Sequence, residues 1–124
     1  ICIMKRILLV EDDSFISEIY SKRLSREGYD VTMANNGQMA LDNMKNHRPD
    51  LAVLDINLPD VSGWEVLKFM RNDEVLKHVK VFILSNLNRQ AFEDKIASLG
   101  VLKYFIKVET TPDMLVNSVK EILN

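Results

Sequence analysis

A chain of 124 residues, 47% of them hydrophobic, is the size of one ordinary globular domain with a substantial core and leaves no room for a second. Its net charge of −2 and pI near 5.7, with sixteen basic residues scattered rather than bunched, argue against direct nucleic-acid binding and against a membrane-attracted face. The single cysteine, Cys2, excludes an internal disulfide and fits a reducing, cytoplasmic setting, and no apolar run approaches the length of a membrane span or a signal peptide.

Met4-Lys5-Arg6 resembles a natural chain start, which makes Ile1 to Ile3 a remnant ahead of a domain expected over residues 4–124. The first apolar run, Ile7–Val10, ends abruptly in Glu11, Asp12 and Asp13. Helical spacing follows at Ile16, Ile19, Tyr20 and Leu24, with Gly28 placed to stop that helix. A second run, Val31–Ala34, precedes Ala40, Leu41 and Met44; a third, Leu51–Leu54, precedes Val66, Leu67 and Met70. A fourth, Val81–Leu84, leads to Phe92, Ile96 and Leu99 before Gly100. The fifth, Leu102–Ile106, leads to Leu115, Val119, Ile122 and Leu123. Five short runs alternating with five helical stripes predict an α/β domain, a parallel sheet with helices on both faces.

Runs one, three and four are apolar almost throughout, as strands covered on both faces must be. Run two alternates in polarity and run five carries Lys103, so these two are expected at the edges. The doubly wound, flavodoxin-like order 2-1-3-4-5 satisfies both conditions. In such sheets ligands sit beyond the carboxyl ends of the strands, where the strand order reverses. Here that is between strands one and three.

Three acids at the tip of strand one would repel each other unless something positive neutralises them. Asp55 ends strand three, and neighbouring strands lie about 4.8 Å apart, so acids at both tips converge. Magnesium, held by one or two carboxylates with waters and phosphate oxygens, would relieve that repulsion. Strand four ends in Ser85 and strand five in Lys107, adding a hydroxyl and an ammonium to the same rim. An aspartate nucleophile, a metal, a cation and a hydroxyl are the parts that phosphoryl transfer needs.

With "LLVEDD", "LAVLDINLPDVSGWEVL", "FILSN" and "YFIK" at four successive strand ends, the sequence resembles the receiver domains of two-component response regulators, chemotaxis-regulator-like single domains among them, from Met4 to Asn124. The resemblance implies Asp55 as the phospho-acceptor. It implies Asp12 as a direct magnesium ligand, Glu11 as one acting through water, and Asn57 as a ligand through its backbone carbonyl. Ser85 and Lys107 are implied to contact the phosphoryl oxygens, and Ser85 with Tyr104 to form the switch. Pro59 and Gly63 match the turn that shapes the acceptor loop, where Gly63 is expected for backbone angles other residues avoid. The implied partners are a histidine kinase or phosphotransfer protein, in a kinase pathway or phosphorelay, and a downstream protein target or a separate output domain. Signalling would run through the face of helix four and strand five.

Asp13 is also well placed to cap helix one, and His47 and His78 are expected in solvent. Trp64 and the six methionines are expected in the core or partly in it. Two residues depart from the family pattern. Asn86 replaces the usual Ala or Gly after the hydroxyl, and its bulk is expected to narrow access to Asp55 and slow phosphoryl turnover. Val108 replaces the usual cis-proline after Lys107; a cis bond before valine would cost about 3–4 kcal/mol, so a trans bond is expected. Nothing follows helix five, so either a stand-alone receiver or an excised one is expected.

Three rivals stand beside the phosphorylation switch. One is a degenerate receiver acting as a constitutive interaction module. Another is an aspartyl-phosphate hydrolase of the haloacid-dehalogenase kind, which would need an acid where Asn57 stands. The third, a flavin-binding relative, would need a phosphate-binding loop where the acids stand.

Overall fold

The computed structural model describes residues 3–124; Cys2 and, with Ile1, most of the expected leading remnant lie outside the described residues. Five strands, β1 (Arg6–Val10), β2 (Asp30–Ala34), β3 (Leu51–Leu54), β4 (Lys80–Ser85) and β5 (Lys103–Ile106), form one parallel sheet in the order β2-β1-β3-β4-β5. The helices are α1 (Ser14–Arg26), α2 (Gly37–Asn46), α3 (Gly63–Arg71), α4 (Glu93–Ser98) and α5 (Pro112–Leu123). This is the expected doubly wound order. β3 is buried at every position, whereas β2 is mostly exposed and β5 half-buried, so the mixed runs do occupy the edges. Lys103 on edge strand β5 reaches Glu121 of α5 at 3.1 Å, turning an unpaired edge toward a covering helix.

Alternate residues of the strands feed two cores. Leu8, Val10, Ala52, Leu54, Val81 and Ile83 face α2, α3 and α4. Ile7, Leu9, Leu51, Val53, Phe82 and Leu84 face α1 and α5, meeting Tyr20, Leu24, Leu115, Val116 and Val119. Gly28 and Gly100, with φ of 96° and 68°, stop α1 and α4 as expected, in a backbone region that other residues avoid.

The helical stripes needed correction in three places. On α1 the buried face runs through Ser17, Tyr20, Ser21 and Leu24, while Ile19 is 40% exposed. Small hydroxyl residues let α1 lie close on the sheet, and an apolarity count overlooks them. α4 is only six residues long, because the polypeptide over Arg89–Phe92 winds as a tighter 3-10 turn. Trp64, Met44 and Met70 are core, but Met4, Met33, Met39 and Met114 are exposed.

Candidate functional site

Register places the chemistry. Val10 pairs with both Ala34 and Leu54, and Leu54 with Ile83, so the next residues up, Glu11 and Asp55, leave the sheet side by side. Ser85 pairs with Ile106, which puts Lys107 one step beyond it on the same rim. Glu11 donates its N–H to Ala34 O at 2.9 Å and Asp55 donates to Val10 O at 3.0 Å, so both acids remain stitched to the sheet while their side chains extend past it.

Glu11, Asp12, Asp55, Asn57, Ser85 and Lys107 line one opening, together with Asp13, Ile16 and Asn86. Carboxylate oxygens of Glu11, Asp12 and Asp55 lie within 4.8 Å of one another. Glu11 and Asp55 are buried and Asp12 is exposed. Lys107 Nζ lies 2.6 Å from Glu11 Oε1 and donates a hydrogen bond to Asp55 Oδ2 at 2.8 Å. The contact to Glu11 is poorly aligned, leaving buried Oε1 without a directed donor, while Oε2 accepts from Asp13 N at 3.0 Å. Burial pushes the Glu11 carboxyl above its ordinary value, against the opposing pull of Lys107. Burial alone would push the Lys107 ammonium down, but its hydrogen bond to Asp55 and the negative charges of Asp55 and Glu11 outweigh it and raise the value.

Three carboxylates facing one cation leave the cluster net negative. Hard oxygen donors at this spacing, one of them exposed and one with an undirected oxygen, fit a small divalent ion such as magnesium.

The other expected residues take definite positions. Asp13 caps α1, accepting from the N–H groups of Phe15 and Ile16 at 3.0 and 3.2 Å. Asn57 donates its backbone N–H to Asp55 Oδ1 at 3.3 Å. Ser85 Oγ is buried and accepts from Leu87 N at 3.1 Å. Tyr104 does not line the opening; its hydroxyl donates to Leu87 O at 2.7 Å, holding the loop that follows Ser85. Burial raises the Tyr104 phenol.

Gly63 serves for a different reason than expected. Its φ is not positive; instead a Cβ there would sit 2.1 Å from the backbone oxygen of Asp55. Asp60, in the same loop, was assigned nothing from sequence. Its two oxygens accept from Gly37 N and Gln38 N at 2.8 Å each, capping α2 from a loop more than twenty residues away. An Asn36-Gly37 helix start with open N–H groups was the only signal for it, and nothing in the spacing pointed from Asp60 to it. The Lys107–Val108 bond is trans, and Val108 N donates to Asn86 Oδ1 at 3.0 Å.

The family model for the response regulator receiver domain matches residues 7–120. The chain belongs to that family. It is similar to the polar-differentiation response regulator DivK of Brucella anthropi, with 33% identity over 108 residues, 87% of this chain and 88% of that protein. Among solved structures it is similar to the chemotaxis response regulator CheY4 of Vibrio cholerae, at 25% identity and TM-score 0.89, over 98% of this chain and 100% of that one. It is also similar to the response regulator TrrA of Thermotoga maritima in complex with Mg(2+)-BeF, at 33% identity and TM-score 0.82, over 97% of this chain and 100% of that one. Response regulator receiver domains are generally signalling proteins rather than enzymes. Among the described residues no helix is long and apolar enough to cross a membrane.

Proposed function

We propose that this receiver domain is a phosphorylation-activated switch that accepts a phosphoryl group on Asp55 from a histidine kinase or phosphotransfer protein. The observation that carries the reading is the convergence on Asp55: Lys107 Nζ 2.8 Å from Oδ2, with Glu11 and Asp12 oxygens within 4.8 Å. In the transfer an Asp55 carboxylate oxygen forms the new P–O bond as the donor's P–N bond breaks, and the leaving imidazole takes a proton. Lys107 and Ser85 stand where the transferred oxygens arrive, one supplying positive charge and the other a hydroxyl that can still donate. Glu11, Asp12 and Asp55 would hold magnesium, with Asn57 contributing from the adjoining turn; the ion supplies charge neutralisation for the phosphoryl oxygens.

The new group brings about −1.5 to −2 charges beside a lysine that now pairs with Asp55 and Glu11. Lys107 and Ser85 redirect toward it, and the pull on Ser85 reaches Leu87 and Tyr104 through the two bonds described. That links the acceptor to the start of α4 and to β5, the face expected to change its affinity for a downstream protein.

Incubation with acetyl phosphate and magnesium, followed by intact mass, tests this. One phosphoryl gained, lost in Asp55→Asn and dependent on magnesium, is the expected result. A folded protein that gains nothing would overturn the switch in favour of a constitutive interaction module.

A further inference from the structure

The two departures from the family pattern meet each other. Asn86 follows Ser85 at the end of β4, Val108 follows Lys107 beyond β5, and the Val108 N–H donates to Asn86 Oδ1 at 3.0 Å across 22 residues. Val108 itself is 80% exposed, so its side chain is not selected by burial. What position 108 contributes is a backbone N–H, which proline could not supply. A small residue at position 86 would leave that N–H without its side-chain acceptor.

We infer that Asn86 is a positioning residue: its carboxamide clasps the Val108 backbone so that the loops carrying Ser85 and Lys107 hold one fixed relation across Asp55. This rests on the proposed phosphoryl acceptance at Asp55. The β4–β5 ladder joins the two strands as far as Ser85 and Ile106, and beyond that pair each loop has its own ties. Ser85 Oγ accepts from Leu87 N, and Thr110 Oγ1 donates to Ile106 O at 2.7 Å. Tyr104 ties Leu87 to β5 ahead of Lys107, and Tyr20 ties Thr110 to α1 at 3.0 Å behind it. Among the described residues, the Asn86 clasp is the one hydrogen bond that joins the residue after Ser85 to the residue after Lys107. A backbone held at Val108 fixes the root of the Lys107 side chain, whose ammonium is drawn to Asp55 and Glu11. Misplacement by about 1 Å costs such sites up to roughly a hundredfold in rate.

The test separates the clasp from mere bulk. Asn86→Leu keeps the size and branching of the side chain and removes the acceptor; Val108→Pro removes the donor. Exchange of the Val108 amide, followed by NMR, is expected to accelerate about tenfold in Asn86→Leu. Phosphorylation by acetyl phosphate is expected to slow about three- to tenfold in each single variant, as for the loss of one hydrogen bond. In the double variant it should fall no more than about twofold below the slower single, because both changes remove the same contact. Magnesium affinity, read by isothermal titration calorimetry, should stay within about twofold, whereas general distortion of the acid cluster would weaken it. Asn86→Leu with unchanged amide exchange and rate overturns the clasp and leaves Asn86 as bulk alone. Losses that multiply in the double variant overturn it as well. A wild-type chain inert to acetyl phosphate while Val108 exchange still responds to Asn86→Leu refutes the phosphoryl-acceptor reading and the positioning role with it, yet leaves the contact established.

Discussion

Gly63→Ala is the most demanding perturbation of the site that leaves every charged residue in place. The added Cβ would lie 2.1 Å from Asp55 O and 3.0 Å from Ile56 Cα, where ordinary contact begins at 3.4 Å. Both are backbone atoms, so no side chain can swing aside. Either the first turn of α3 or the acceptor turn must retreat by about 1 Å. Gly63 N donates to Ile56 O at 2.8 Å, so retreat also stretches the bond that fastens α3 to that turn. Overpacking of this kind costs about 1–3 kcal/mol. For a chain of this size that is a fall in Tm of roughly 3–12 °C. The displaced element carries the acceptor itself, so the rate of phosphorylation should fall as well, toward a hundredfold. Thermal unfolding and time-resolved intact mass with acetyl phosphate measure the two effects on one sample. A Gly63→Ala protein with wild-type Tm and wild-type rate would refute the close-approach account.

Lys107→Met leaves Glu11 and Asp55 buried without their cation and should cost about 3 kcal/mol at neutral pH, partly recovered by lowering the pH to protonate Glu11 or by adding magnesium. Because the folded Lys107 value is raised above 10.5, its contribution in the native protein is complete below that pH and lost as pH climbs through the folded value. Urea unfolding across the alkaline range should show this loss in wild type and not in Lys107→Met. Asp60 is held below its ordinary value of 3.8, chiefly by the Gln38 N–H, so its contribution is present above that pH and lost as pH falls through the folded value. Asp60→Ala should therefore lower Tm at pH 7, with the difference closing in strong acid; a constant difference would exclude the carboxylate as the cap. Arg71 donates to Leu99 O at 2.7 Å, Val79 O at 2.8 Å and Lys77 O at 3.2 Å, binding the end of α4 to the α3–β4 connection. Arg71→Lys cannot reproduce that fork and should cost about 1–3 kcal/mol in urea unfolding; an unshifted midpoint would count against it.

The strand tips were legible because a parallel sheet converts sequence into position with little freedom. Glu11, Asp55, Ser85 and Lys107 each follow a short apolar run directly, and once the strand order is known their convergence is forced. Asp13 as a helix cap was legible for the same local reason. Ile19 was misplaced because helical spacing identifies an apolar stripe but not how closely the helix lies, and small Ser17 and Ser21 took the buried face. Gly63 was legible as a position but not as a cause. A glycine required for its φ and one required for its missing Cβ look alike until the backbone opposite is in place.

The sequence by itself therefore determined the element order, the edge and central strands, and the set of residues at the rim, since periods of 2.0 and 3.6 and the residue at each strand end are local properties. Only the tertiary structure decided how those residues are engaged. Lys107 divides itself between two acids, Asp60 caps α2, Tyr104 holds Leu87, and Asn86 answers Val108. The directed bonds among these join groups 17 to 52 residues apart, fixed by a few tenths of an ångström and by the angle of approach. Spacing along a chain carries no such information until the loops that bear those groups have been folded against each other.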